Sequence, residues 1–133
     1  MLDVLIALET LAARLACRIA PDMDIAKVRK LHDEMMAFYA ARNRLEYYKR
    51  NQAIHSAIAE LSANDCLTST HESIQSRLKR IRFIGNEQLE KWQGAVGEHE
   101  EMIVSLEARD ADRLAEVMER HLERTWDRVK DIV

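Results

Sequence analysis

The chain has 133 residues, 32% of them charged and 47% hydrophobic, with a formal net charge of −3. That is one domain's worth of core, and it excludes a disordered or membrane-embedded chain. The acidic balance excludes a DNA-binding module, because the densest basic run, Arg77 to Arg82, is short and lies within one expected helix.

Three glycines and one proline predict long helices with short connections. The first helix is expected from Leu2 to Ala20, where Pro21 stops it. Asp3, Glu9, Arg14 and Arg18 interrupt its apolar opening, so it is neither a signal peptide nor a membrane span, and a cytoplasmic location is expected. Asp22 and Asp24 load the first turn of a second helix, where carboxylates meet the positive end of the dipole. Ile25, Val28, Leu31, Met35 and Tyr39 carry its stripe, and it should end around Asn43. The stretch "YYKRNQAIHSAIAEL" is the third helix, ending near Ser62 to Asp65. A fourth carries Leu67, Ile74, Leu78 and Ile81, and Gly85 should terminate it within a loop from Ile84 to Gln88.

The fifth helix carries Trp92, Val96, Ile103 and Leu106, and Gly94 and Gly97 weaken its first turns by roughly 1 kcal/mol each. Asp110 is the expected N-cap of a sixth helix ending near Asp131. No stretch alternates as a strand would. The fold class is all-α, an antiparallel bundle of about six helices. Cys17 and Cys66 have no metal-motif spacing and read as reduced thiols.

Three expected core stripes each carry an imidazole at the centre: His55 on the third helix, His99 on the fifth and His121 on the sixth. Asn51 lies one turn before His55. A single histidine in such a place reads most simply as a core residue bonded to a neighbour. Three would each need a buried partner, whereas one divalent ion would satisfy all of them. Spacing alone leaves both readings open. His32 reads as packing at a helix–helix or subunit contact, and His71 as an outside candidate for a cavity wall. The residues three before the five histidines are Arg29, Gln52, Thr68, Val96 and Met118, so the Glu-x-x-His pairs of a di-iron bundle are absent.

The segments "LETLAARLA", "NQAIHSAIAELSAN" and "EHEEMIVSLEARDADRLAEVMERHL", in an all-helical order, resemble the effector-binding (FCD) domain of FadR-type regulators in the GntR family. The resemblance covers essentially the whole chain. It implies a bundle around a central cavity, with one divalent ion, zinc first and nickel or another late ion next, on Asn51, His55, His99 and His121. It implies further that a small organic acid completes the coordination, that the protein is a homodimer, and that it is not an enzyme. Leu2, Leu5, Ile6 and Leu8 leave little polar surface at the start of the first helix, where a preceding domain or a partner copy is expected to cover it. DNA would be bound only through a winged-helix domain expected to precede Met1. Asn51 stands where many members carry aspartate, and Leu5 falls where some carry an arginine that clamps the effector. Arg14 or Arg77 is the expected substitute for that arginine, with His71 nearby. The alternatives are a hydrolytic three-histidine site, which would want Glu98 or Glu101 as proton acceptor although their helical phases place them off the centre of the His99 stripe, and a purely structural ion in a dimerisation module.

Overall fold

Amphipathic helices joined by turns of a few residues can bury their stripes only against their neighbours, and the chain does so. A computed structural model describes the backbone of residues 2–85 and 89–129 and the side chains of residues 2–80 and 93–127. The expected loop centre at 86–88, the placement of Ile81 and Trp92 on their stripes, and an end at Asp131 lie outside the described residues. The elements are α1 (Leu2–Ile19), α2 (Asp22–Ala40), α3 (Arg44–Leu61), α4 (Asp65–Gly85), α5 (Leu89–Glu107) and α6 (Ala111–Val129). No strand occurs among the described residues.

The inner face of α1 is built from small residues: Ala12, Ala13 and Ala16 are completely buried. Without bulk on that face, α1 packs closely on both α6 and α3 and also touches α4 and α5. The helix pair α2–α3 packs side by side, α5 joins α6, and α4 lies against α3, α6 and α1. Met35, Met102 and Met118 are fully buried and fill the core, as their positions on the stripes lead one to expect.

The second helix ends at Ala40, earlier than the expected Asn43. Arg42 turns into the left-handed region (φ 60°), and the amides of Arg42 and Asn43 return to the carbonyls of Tyr39 (3.1 Å) and Phe38 (2.9 Å). Asn43 then starts the next helix, its Oδ1 accepting from the Glu46 amide at 3.3 Å. The same closure ends α5. Arg109 adopts φ 55°, the amides of Arg109 and Asp110 bond to Leu106 and Ser105 at 3.0 Å each, and Asp110 caps α6 through the Arg113 amide, as expected. Between α3 and α4, Ala63 takes the left-handed corner (φ 53°) and Asn64 caps the Leu67 amide at 3.0 Å. All three of these corners therefore use residues with a Cβ.

Arg109 also ties the α5–α6 corner to the α1–α2 corner. Its guanidinium donates to the Cys17 and Ala20 carbonyls at the end of α1, at 3.2 and 2.6 Å, and to Asp22 Oδ1 at 2.6 Å. One side chain thus satisfies carbonyls that helix geometry leaves without partners.

Candidate metal centre

Three core-facing stripes converge at the middle of the bundle. On α3 the buried face includes Asn51, Ile54, His55 and Ile58. On α5 it includes His99, Met102 and Ile103, and on α6 Met118, His121 and Leu122. His55, His99 and His121 are 1%, 0% and 3% exposed. Their ring centroids lie 5.3 Å (His55–His99), 5.4 Å (His55–His121) and 4.7 Å (His99–His121) apart. His55 and His121 are nearly parallel at 16°, while His99 stands edge-on to both at 80° and 87°. One ring nitrogen from each lies within 4.8 Å of the other two. A tetrahedral ion with bonds of about 2.1 Å would hold its donors roughly 3.4 Å apart, inside that bound.

Two buried carboxylates stand behind this group. Glu9, on α1, is 1% exposed and pairs through Oε1 with His55 Nδ1. The same oxygen is 3.8 Å from Nε2 of His71, a buried residue of α4. Glu98, on α5, accepts from His121 Nδ1 at 2.8 Å with one oxygen and from Arg124 at 3.2 Å with the other. A carboxylate can only accept, so the ring nitrogen facing it carries the hydrogen and Nε2 keeps the lone pair. In both histidines the nitrogen left for a cation is therefore Nε2.

Asn51 is also buried, at 4% exposed, and its Oδ1 has no hydrogen-bond partner among the described residues. Such an oxygen on the core face, one turn before His55, fits a cation ligand set better than a dry core. The donors present, three imidazoles and an amide oxygen, suit zinc, nickel and other late divalent ions.

Of the residues expected around the centre, the structure brings together His55, His99 and His121 and sets His71 behind Glu9. Arg14 and Arg77 lie on the helix surfaces. Both are exposed, and Arg14 is engaged with Asp112 on α6 at 2.6 Å. Their helical phases point outward, where a guanidinium keeps its hydration. His32 is buried on α2 and pairs with Glu100 of α5, a helix–helix contact as expected.

Glu9 is what the sequence reading missed; it passed only as an interruption of an apolar helix. The signal was there, since Glu9 shares a face with Leu5, Ala12, Ala13 and Ala16 at helical spacing. Glu98 was expected off the centre of its stripe. It is buried because α5 carries a wide buried face, with Ala95, Val96, Glu98 and His99 all enclosed.

Comparison with known proteins agrees with this architecture. Residues 1–124 match the FCD domain. The Nta operon transcriptional regulator of Aminobacter aminovorans is 32% identical over 132 residues, a match that covers 95% of this chain and 58% of that protein. The E. coli protein McbR/YncC superimposes with a TM-score of 0.87 over 98% of this chain and 66% of its own, at 14% identity, which is a likeness of fold alone. The chain thus spans a little over half the length of the curated relative. With six helices among the described residues and a family match over nearly all of its length, the chain belongs to the FCD domain family.

Proposed function

We propose that this chain is the effector-sensing domain of a GntR-type transcription regulator. In this reading Asn51, His55, His99 and His121 hold one divalent cation, zinc or a neighbouring late ion, and a small organic acid binds beside it. The observation that carries it is the buried convergence of three imidazole nitrogens from α3, α5 and α6 within 4.8 Å of one another. Four neutral donors leave the full charge of the cation uncompensated, so when bound it supplies an electropositive anchor for a carboxylate. His71 is a candidate wall residue for that acid.

The liganding residues sit on three helices, so occupancy biases how those helices pack, which is the differential contact a sensor needs. DNA would be engaged through an attached domain, in keeping with the regulator to which the chain is similar. A second copy of the chain suits α1. The expected contact residues there were Leu2, Leu5, Ile6 and Leu8, but Leu5 is buried in the core. The outward stripe is instead Val4, Leu11 and Ile19, about half exposed, with half-buried Leu8 and Leu15 between them. From Val4 to Leu15 the steps of four, three and four match a coiled-coil seam.

Elemental analysis and calorimetric titration of the zinc-loaded chain with a panel of small carboxylates test the reading. One equivalent of metal and saturable carboxylate binding are expected, and His55→Ala, His99→Ala and His121→Ala should each lose the metal. Normal metal content in those variants overturns the assignment. The hydrolytic alternative needs a carboxylate available to take a proton from water. Glu98 is instead held between His121 and Arg124, which supports the non-enzymatic reading.

A further inference from the structure

The two buried carboxylates behind the histidines carry an inference beyond the ligand set. Each faces the Nδ1 of one imidazole, and each comes from a helix other than that imidazole's own: Glu9 of α1 on His55 of α3, and Glu98 of α5 on His121 of α6. A carboxylate on the far nitrogen fixes the tautomer and the ring plane, and raises the basicity of the nitrogen that remains. Glu9 stands in a different relation to the centre from Glu98. None of the three clustered histidines lies on α1, and Glu9 reaches over both His55 and His71, spanning α3 and α4. The rest of its face on α1 is apolar or small, with Leu5, Ala12, Ala13 and Ala16 buried around it. A buried carboxylate in that setting is costly to keep unless its partners hold it.

We infer that Glu9 and Glu98 are positioning residues that aim His55 and His121 at the cation, and that Glu9 makes α1 respond to occupancy of the site. This rests on the proposed cation site and extends it from three helices to a fourth. α1 is the helix that packs most widely in the bundle and that carries the outward apolar stripe. Tightening the Glu9–His55 pair is therefore a direct route from the centre to the surface of the domain.

The test uses the full chain and zinc alone. Competition with a chromophoric chelator should show zinc affinity reduced 10- to 100-fold in Glu9→Leu and in Glu98→Leu, with one zinc still bound at saturation. Glu9→Gln, which keeps an acceptor oxygen without its charge, should fall between Glu9→Leu and wild type. Zinc should slow amide exchange across α1 in the wild-type chain and should do so less in Glu9→Gln, while α3, α5 and α6 are protected in both. A role in packing alone would lower the melting temperature without moving zinc affinity or the exchange of α1. Wild-type zinc affinity in Glu9→Leu and Glu98→Leu, or zinc binding to the wild type with no added protection of α1, overturns the inference and leaves the site standing. Failure of the wild-type chain to take up zinc overturns both. The wild-type exchange measurement decides the matter even if a leucine variant does not fold.

Discussion

A buried side-chain oxygen without a partner among the described residues, Asn51 Oδ1, is a small defect in the absence of a cation and an asset once one is present. Replacing it by aspartate separates those two effects. In the metal-free protein Asn51→Asp should cost on the order of 2 kcal/mol or more, because a charge replaces an amide in the interior. With zinc the order should invert, since the carboxylate is the stronger donor. Zinc at a hundred times its dissociation constant should stabilise the wild type by about 2.7 kcal/mol, and Asn51→Asp by more. Thermal melts with zinc and with chelator measure both arms. The two thiols offer an independent check on burial. Cys17 is enclosed, and burial pushes its thiol up despite the opposing charge of Arg109; Cys66 is exposed. Iodoacetamide at neutral pH should therefore label the native chain once, at Cys66, and the second thiol should react only on unfolding. The three histidines were legible one by one, because each centres an apolar stripe. Their partners Glu9 and Glu98 were not, because an acid on a helix looks solvated until the helix covering it is known.

At the scale of the elements, helix ends decide where the stripes point. Left-handed corners at Arg42, Ala63 and Arg109 each carry the steric cost of a Cβ. Ala63 is exposed and has only a methyl group to lose, so Ala63→Gly should stabilise the domain by up to about 1 kcal/mol. Arg109 shares that backbone conformation but must go the other way. Its guanidinium satisfies the end of α1 and grips Asp22, and Arg109→Ala should destabilise by about 1–3 kcal/mol. Urea unfolding of the two variants reads both signs in one experiment; alanine keeps the Cβ at the corner, so a stabilised Arg109→Ala would show that the guanidinium bonds do not hold the end of α1. Element type and order were readable from periodicity. The end of α2 was placed late because asparagine suits a helix start as well as a loop, and only the backbone closure at Arg42 settles which.

For the whole molecule, acid is the condition that loosens the contact of α2 with α5. Arg29 grips Glu107 with two hydrogen bonds of 2.7 and 3.1 Å, and that bonding holds the Glu107 carboxyl below its ordinary value of 4.5. A folded-state value below the unfolded one means the pair contributes fully above pH 4.5. The contribution is lost as pH falls through the lowered folded-state value. Arg29→Gln should cost a few tenths to about 1 kcal/mol at neutral pH, because the pair is partly exposed. It should also flatten the fall in stability between about pH 5 and pH 3. Denaturation midpoints across that range check the slope. An identical slope in the variant would mean that other carboxylates set the acid response.

By itself the sequence determined that the protein is an all-α bundle of about six helices, and that His55, His99 and His121 each sit on a covered face. Those properties follow from local turn chemistry and from a 3.6-residue period, and neither needs a neighbouring helix to be known. Only the tertiary structure decided that Arg14 and Arg77 stay outside, that Glu9 and Glu98 stand behind His55 and His121, and that α1 reaches the centre at all. The reason is geometric. A period assigns a side chain to a direction around its own axis, but what it meets in that direction depends on how closely and at what angle a second axis approaches. The alanine face of α1 sets that approach, and no single helix contains it.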